Sequence, residues 1–348
     1  MLSTKSALTI VVNLLFSMIS ITAKSQPENI ADSIFHEDSI KRIVSFLSHD
    51  SLKGRLTGSP ENLVVANFIA SQFKQAGVLP ISGMQDYFSE FIFFAKSTKK
   101  IKGVNIIGAI PGMSKKEELI IFCAHYDHIG TTNSRPSEKM FTSGTKEIID
   151  TIYNGANDNA SGIAALILLS RYFYKEKNNE RTILFIAFSG EEFGLKGSYA
   201  FNSIINSSSI KAVITIEMIG RGINNKKDNP FITGIEYSDL GFLLNRKLKN
   251  KVLNSSGRKM FFRKDPYINE NLFSRSDNYP FALKGIAAHT IMATNPKDPF
   301  YHSVKDEIET IDFKNMSLVL KAIALSCNGL INGTDTPQRI NPSKLINN

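Results

Sequence analysis

The feature that most constrains the fold is an apolar run from Ile183 to Phe188 that stops just before two adjacent carboxylates, Glu191 and Glu192. The run has the length and content of a strand that is buried on both faces. Similar strand-like runs alternate along the chain with segments whose apolar residues have helical spacing. This alternation predicts an α/β fold of three layers, in which helices cover both faces of a mostly parallel, mixed central sheet.

The predicted elements extend over most of the chain. Strand patterns lie at 87–94, 104–110, 119–124, 182–188, 212–216 and 285–292, and helix patterns at 39–46, 62–73, 162–174, 240–253 and 316–331. The span 221–280 is difficult to interpret apart from its one helix pattern. We expect residues 26–333 to form one domain, and we expect the polar tail at 334–348 to be loosely held.

Residues 1–25 have a different composition. Lys5 precedes an apolar run at 7–21, and the small residues Ala23 and Ser25 follow it. A charged start, an apolar middle and small residues at the end predict a secretory signal peptide that is cut before Gln26. The alternative is a membrane anchor, but the run is short and contains polar residues. We therefore expect a periplasmic or secreted protein without a stable membrane span after cleavage.

Charge and cysteine content exclude some classes of function. The chain carries a formal net charge of +9, but its basic residues are scattered in pairs such as Lys99-Lys100. Scattered pairs are typical of solvated surface rather than of a nucleic-acid groove. Cys123 falls in a predicted strand and Cys327 in a predicted helix. A disulfide between them is conceivable, but their patterns favour two separate buried thiols.

Polar residues that can bind metals follow several predicted strands. Open α/β sheets bind ligands beyond the carboxyl ends of their strands, so we expect the functional site there. His125 and Asp127 are two residues apart and share one face, which suits a metal-bound histidine whose second ring nitrogen donates to the aspartate. A hydrogen-bonded pair within a loop is the alternative.

Two more carboxylates, Asp158 and Glu217, are candidate ligands. Asp158 is the one acid in Asn154-Gly155-Ala156-Asn157-Asp158-Asn159-Ala160-Ser161-Gly162, where small residues allow the backbone close to a site. One carboxylate can bridge two cations about 3.5 to 4 Å apart. The alternative is a turn ahead of a helix. Glu217 follows another predicted strand. It is either a metal ligand or an exposed charge at the end of the strand.

Glu191 and Glu192 point in different directions because they are adjacent, so one can bind a metal while the other faces the attacking water as a base. The alternative is a solvated pair that opens a helix. His302 directly follows two aromatic residues, Phe300 and Tyr301. It is either a metal ligand or a packed side chain. We assign the remaining histidines to structural or supporting positions: His36, His49, His128 and His289.

The order of these residues favours a shared metal site. Two imidazoles and three carboxylates are available for two zinc ions, with Asp158 shared and Glu191 left free as a general base. Nitrogen and oxygen ligands without thiolate are typical of a catalytic zinc site. The five candidate ligands are His125, Asp158, Glu192, Glu217 and His302.

With these motifs the sequence resembles the co-catalytic zinc aminopeptidases, a family that includes the bacterial leucyl aminopeptidases, glutamate carboxypeptidase II and the glutaminyl cyclases. The resemblance covers most of the chain after residue 25. It rests on Gly54-Arg55-Leu56-Thr57-Gly58-Ser59, His125-Tyr126-Asp127, the motifs at 155–162, 190–198 and 217–221, Ser276-Asp277-Asn278-Tyr279-Pro280-Phe281 and Tyr301-His302-Ser303.

The resemblance implies a zinc exopeptidase fold, with a zinc peptidase domain over residues 26–333. It also implies a role for each site residue. His125 and Glu192 would bind different metals, and Asp158 would bridge them. Asp127 would support His125, Glu191 would be the base, and His302 the last ligand. Position 217 departs from the family pattern, because the family typically has Asp where this chain has Glu217. A cis peptide bond is implied between Asp158 and Asn159.

The implied function is that of an exported zinc aminopeptidase, which hydrolyses amino-terminal residues from peptides. One alternative is a glutaminyl cyclase-like transferase with a single zinc; against it, the chain has no Trp, and Tyr301 stands where the cyclases place one before the last histidine. Another is a non-catalytic relative, which should have lost ligands. Peptides are the expected partners, and the sequence leaves open the oligomeric state and the roles of Arg221, Asp277 and Tyr279.

Overall fold

The structure, a computed structural model, describes residues 30–95, 99–134, 150–222, 230–248, 260–295 and 297–346. The predicted signal peptide lies outside these ranges. The helices are α1 (Ile30–Ile34), α2 (Glu37–Leu47), α3 (Pro60–Ala76), α4 (Ser161–Glu176), α5 (Lys196–Ile204), α6 (Leu240–Leu248), α7 (Tyr279–Ala282), α8 (Phe313–Ser326), α9 (Asn328–Ile331) and α10 (Ser343–Ile346). The strands are β1 (Leu79–Pro80), β2 (Phe88–Phe94), β3 (Lys100–Ile110), β4 (Lys115–His125), β5 (Gly130–Thr131), β6 (Ile152–Tyr153), β7 (Arg181–Phe188), β8 (Ile210–Glu217), β9 (Phe231–Ile232), β10 (Arg263–Lys264) and β11 (Ala288–Met292).

Nine of these strands form one sheet in the order β1-β3-β7-β4-β8-β11-β9-β10, with β2 also paired to β3. The four central strands β7, β4, β8 and β11 are parallel to one another. On either side of them, β3 runs antiparallel to β7 and β9 runs antiparallel to β11. The prediction of an α/β fold with a mostly parallel, mixed central sheet is confirmed.

Side chains of the central strands alternate between two hydrophobic clusters, one on each face of the sheet. In β4, Ile120 and Phe122 belong to one cluster, whereas Ile121 and Cys123 belong to the other. A strand in this position needs apolar residues at every position, because both of its faces are covered. This requirement explains the uninterrupted apolar run from Ile183 to Phe188.

Helices cover both faces of the sheet. On one face, α4 packs against β4, β7 and β8, and α2, α3 and α8 pack around α4. On the other face, Phe201 of α5, Phe281 of α7 and Leu345 of α10 join the cluster that contains Leu184 of β7. The sheet therefore lies between two helical layers.

Local signals fix the ends of α3, the helix that follows the first site segment. The Ser59 hydroxyl accepts a hydrogen bond from the backbone N–H of Asn62 at 3.0 Å, and Pro60 occupies the first helical position. Gly77 ends the helix with a φ of 80°, a left-handed conformation that favours glycine. The cap at Ser59 holds the start of α3 close to the end of the segment that carries Arg55.

Two expectations for the carboxyl-terminal part were inaccurate. The predicted closing helix is divided at Cys327 into α8 and α9. The prediction of a loosely held tail is wrong for residues 334–346, because Ile340 and Leu345 are buried against the sheet and the Asp335 carboxylate lies 2.6 Å from Arg246. The three aliphatic residues of this polar segment, Ile340, Leu345 and Ile346, gave no periodic signal for this packing.

Cys123 and Cys327 are both buried and free, as two separate thiols. The sequence prediction for the cysteines is confirmed. None of the helices in the described ranges is both long enough and apolar enough to cross a bilayer.

Candidate metal centre and active site

The candidate ligands meet at the carboxyl end of the central sheet. His125 is the last residue of β4, Glu217 is the last residue of β8, and Glu192 follows β7 by four residues. Because β7, β4 and β8 are adjacent and parallel, their ends meet at one edge. Asp158 reaches the same place from a single π-helical turn, Ala156–Ala160, that precedes α4.

One group of possible metal ligands consists of His125, Asp158 and Glu217, whose donor atoms all lie within 4.8 Å of one another. The His125 Nε2 atom is 3.3 Å from Asp158 Oδ1. All three residues are buried, and the Ser276 hydroxyl donates a hydrogen bond to the Glu217 carboxylate. The longer side chain at position 217 therefore still reaches the other two residues.

A second group shares Asp158 and adds Glu192. The His302 Nε2 atom lies 3.3 Å from Asp158 Oδ2 and 3.4 Å from Glu192 Oε2. His128, Asp158 and Glu192 also form a group within 4.8 Å, with His128 Nδ1 at 2.9 Å from Glu192 Oε1. The candidate metal position beside Asp158 and Glu192 thus has two imidazoles near it, those of His302 and His128. The sequence analysis had assigned His128 to a structural or supporting position.

The donor set fits zinc. It consists of imidazole nitrogens and carboxylate oxygens, which are the ligands of catalytic zinc sites. In the described part of the chain, the buried Nε2 atoms of His125 and His128 have no hydrogen-bond partner. Buried polar atoms usually have a partner, so imidazole nitrogens that face a cluster of carboxylates without one fit a metal site.

The electrostatics of the cluster also favour cations. Burial raises the pKa of Glu217 to about 7, and the Asp158 charge adds to this effect. Burial opposes a charge on His302, but Glu192 and Asp158 outweigh this and raise the pKa of His302 to about 11. Several carboxylates so close together, out of water, need positive charge in order to remain ionised.

Glu191 belongs to neither ligand group and lines the cavity at the site. Asp158, Glu217 and His302 line this cavity together with Glu191. Burial raises the pKa of Glu191 well above its ordinary value, and the nearby Glu217 and Glu192 raise it further. A carboxyl group with a raised pKa can both accept and donate protons near neutral pH.

Asp127 stands behind His125 and is anchored on both oxygens. Its Oδ2 accepts a hydrogen bond from Thr57 Oγ1 at 2.8 Å, and its Oδ1 accepts one from the Glu191 N–H at 3.2 Å. Its Oδ1 is 3.8 Å from His125 Nδ1, which lies closer, at 3.1 Å, to the Asp127 carbonyl oxygen. Thr57 also accepts a hydrogen bond from the Gly190 N–H at 2.9 Å. One threonine therefore joins the ends of β4 and β7.

Arg55 is a fully buried guanidinium that binds carbonyl oxygens rather than a carboxylate. It donates to Tyr126 O at 2.8 Å, Gly155 O at 2.8 Å and Asp158 O at 3.1 Å, and to the carbonyls of Leu47 and Asn154. Burial lowers its pKa, whereas the charges of Asp158 and Asp306 oppose this shift. Arg55 thereby connects the backbone beside His125 to the backbone of Asp158.

Asp306 fixes the Asp158 turn from the other side. Its carboxylate accepts hydrogen bonds from the N–H groups of Asn157 at 2.9 Å and Asp158 at 3.0 Å. Arg221 forms ion pairs with Asp306 and with Asp298, the latter at 2.7 Å. The sequence left the role of Arg221 open, and in this structure Arg221 pairs with structural carboxylates.

The backbone around Asp158 is closely packed. Gly155 has a φ of 57°, and an added Cβ at Gly155 or at Gly162 would overlap neighbouring oxygen atoms. The implied cis peptide bond between Asp158 and Asn159 is confirmed. The positive φ angles of Arg55, Met218 and His302 also lie at this site. Non-glycine residues in this conformation are uncommon, and they cluster at functional sites.

The structure also adds and removes candidates. Asp277 is fully buried and Tyr279 packs edge-on against Phe273, so neither residue lines the cavity. Sequence reasoning did not assign roles to Thr57, Arg55 and Ser276, although all three lie in motifs that carried the resemblance. Their position in those motifs was the available signal, but their contacts required the fold.

Comparison with known proteins identifies a protein family whose model this chain matches. The chain matches the model of peptidase family M28 over residues 105–326. A probable leucine aminopeptidase of Trichophyton verrucosum is 26% identical over 317 residues, which make up 85% of this chain and 74% of that protein.

Two solved structures share the fold. An aminopeptidase from Aneurinibacillus sp. strain AM-1 superposes with a TM-score of 0.62 at 16% identity, over 86% of this chain and 95% of that chain. Glutaminyl cyclase of Porphyromonas gingivalis superposes with a TM-score of 0.64 at 15% identity, over 86% of this chain and 99% of that chain. At these identities the likeness concerns the fold. The family match, which covers well over half of the sequence, shows that the chain belongs to peptidase family M28.

Proposed function

We propose that the protein is a zinc aminopeptidase with a dinuclear centre, which removes amino-terminal residues from peptides. The observation that carries this proposal is the shared carboxylate, because Asp158 belongs to both groups of candidate ligands. Glu191 faces the same cavity and belongs to neither group. A carboxylate that can bridge two cations, beside another that is free to move protons, is the arrangement that metal-assisted hydrolysis requires.

Zinc, when bound, supplies a Lewis acid that polarises the scissile carbonyl and makes water more acidic. His125, Asp158, Glu192, Glu217 and His302 would hold the metals. Glu191 takes a proton from the attacking water and then gives it to the departing amine. The backbone carbonyl oxygen of Asp127, 3.1 Å from His125 Nδ1, keeps the His125 ring oriented.

Restriction to chain ends follows from the charge of the cavity. Glu191 lines it and belongs to neither ligand group, so this carboxylate remains free to attract a positively charged group of the substrate. A peptide has such a charge at its free amino terminus. The names of the similar proteins, a probable leucine aminopeptidase and an aminopeptidase, support the same activity.

We further propose that the protein is exported. The composition of residues 1–25 supports a cleaved signal peptide, with residues 26–333 as the peptidase domain. The mass of the protein isolated from its own cells should correspond to a chain that begins at Gln26. A mass that includes residues 1–25 would contradict export by cleavage.

Assays with defined peptides test the proposed activity. The purified protein should release free leucine from leucyl-p-nitroanilide and from leucyl peptides, lose this activity with a chelator, and regain it with zinc. Metal analysis should find two zinc ions per chain. A peptide that begins with glutamine separates the cyclase alternative, because cyclisation releases ammonia and leaves the peptide bond intact. Failure of the zinc-loaded protein to release any amino acid would refute the proposal.

A further inference from the structure

We propose that Arg275 binds a carboxylate of the substrate, so that the enzyme prefers peptides with a carboxylate near the scissile bond. This carboxylate is either the free carboxyl terminus of a short peptide or an acidic side chain. The proposal rests on the proposed peptidase function and names a substrate class for the same cavity.

Arg275 belongs to the cavity that contains the metal centre. It lines this cavity together with Glu191 and Asp158. Its Nη2 atom donates a hydrogen bond to the Tyr301 hydroxyl at 3.3 Å, and the Tyr301 ring stacks on the His302 ring with centroids 4.0 Å apart. The guanidinium is therefore joined through one side chain to a candidate metal ligand.

The charge of Arg275 is not matched by a carboxylate in the described part of the chain. No Asp or Glu oxygen there lies within 4.0 Å of its guanidinium. Its protein hydrogen bonds are long, at 3.3 Å to Tyr301 and 3.4 Å to the Glu270 carbonyl. Arg221, by contrast, is held by two carboxylates. Since a guanidinium has five N–H donors, Arg275 retains donors for a ligand.

A second polar group faces the same cavity without a partner. Thr294 is 2% exposed, and its buried hydroxyl has no hydrogen-bond partner among the described residues. Thr294 also lines the cavity. A buried hydroxyl without a partner is unfavourable, and a polar group on a bound ligand would satisfy it. The wall thus offers a cation and a hydroxyl beside the apolar residues Met218, Leu272 and Met292.

A carboxylate is the ligand chemistry that this wall fits. A guanidinium binds carboxylates with two parallel hydrogen bonds. Arg275 and His302 are the basic groups among the described residues that line the cavity, and Arg275 is the one that is not a candidate metal ligand, so it is available to a carboxylate of the substrate. The cavity also has apolar lining beside these polar groups, as binding sites for small ligands usually do.

The test measures binding separately from turnover. Zinc-loaded Glu191→Gln protein, which should bind substrate without cleaving it, is titrated by calorimetry with Leu-Gly-Gly and with its carboxyl-terminal amide. A second pair compares glutamyl-leucine amide with glutaminyl-leucine amide. We expect the carboxylate to bind about five- to tenfold more tightly than its neutral partner in one of the pairs. The first pair reports the chain terminus and the second reports the acidic side chain.

Arg275→Gln in the same background should remove this preference and leave binding of the neutral peptides unchanged. Arg275→Lys should retain part of it, because the charge remains but the paired donors do not. Arg339→Gln is the matched control, since Arg339 is also exposed but does not line the cavity. Equal binding within both pairs, or an equal effect of Arg275→Gln on charged and neutral peptides, would overturn the proposal. A carboxylate preference without amino acid release by the unmodified enzyme would refute the proposed function alone.

Discussion

The metal centre and the outer wall of its cavity are built differently. Four of the five candidate ligands come from the ends of central strands, or just after them, and from the turn before α4, whereas His302 comes from the segment after β11; His125, Asp158 and Glu217 are buried. The outer wall comes from a short helical turn, Leu272–Ser274, from Met218 after β8, and from the end of β11 with the loops on either side of it. In that wall Arg275 is exposed and Tyr301 is partly buried.

The two regions differ in the contacts that hold their residues in place. Buried hydrogen bonds hold the backbone or the carboxylates of the metal centre: Arg55 and Thr57 donate them, and Asp306 accepts one from the Asp158 N–H. Met218, Leu272 and Met292 of the wall instead form a small apolar cluster with Phe231. We infer that changes at the metal centre affect the reaction with every substrate, whereas changes in the wall affect which substrates are preferred. Substitutions in the two regions should therefore have different consequences.

Glu191→Gln should lower kcat by about 10²- to 10⁴-fold with every substrate, because the amide cannot accept the proton of the attacking water. Zinc content should not change, since Glu191 belongs to neither ligand group. The measurement is kcat with leucyl and alanyl p-nitroanilides, together with metal analysis. Substantial remaining activity would show that Glu191 is not the base.

Arg55→Met should destabilise the fold by about 3 to 5 kcal/mol and weaken zinc binding, because five buried carbonyl oxygens lose their donor. Arg55→Lys should lose less, since the charge remains although most of the hydrogen bonds do not. Urea unfolding and zinc titration measure the two effects. Unchanged zinc affinity in the Arg55→Lys protein and in any folded Arg55→Met protein would limit Arg55 to a general structural role.

Thr57→Val should reduce zinc affinity by about 10- to 100-fold, because Asp127 loses a hydrogen bond that orients it behind His125. Thr57→Ser keeps the hydroxyl and is the matched control. Competition with a metal-sensitive dye measures the affinity of each protein. If valine and serine give the same affinity, Asp127 is sufficiently oriented by the Glu191 N–H alone.

The metal centre could be predicted from the sequence to a large extent. His125, Glu192 and Glu217 stand at or just after the ends of apolar strands, and parallel strands bring such ends together. The rule requires only the period of the apolar residues and the order of the elements. The contacts of Arg55 and Thr57 were not accessible in this way. Thr57 bonds to a residue 70 positions away, and Arg55 to one 103 positions away.

The outer wall was the least predictable part. Its residues lie in short turns such as Ile268–Glu270 and Leu272–Ser274, which are too short to show a period. His128 was missed as a neighbour of Glu192 for a related reason, because it follows the end of β4 in a loop whose path the sequence does not specify. The sequence indicated where ligands converge, but it did not indicate what surrounds them.

Leu272→Ala tests the wall and should have the smallest effect. Leu272 is buried in the apolar cluster and lines the cavity, so its truncation should lower kcat/KM for the leucyl substrate relative to the alanyl substrate by about tenfold. Zinc content and kcat with the alanyl substrate should remain unchanged. Leu63→Ala, at an exposed position on α3, is the matched control. An equal loss of activity with both substrates, or a loss of zinc, would show that the wall and the metal centre act as one unit, because both substrates share the same ligands and the same base.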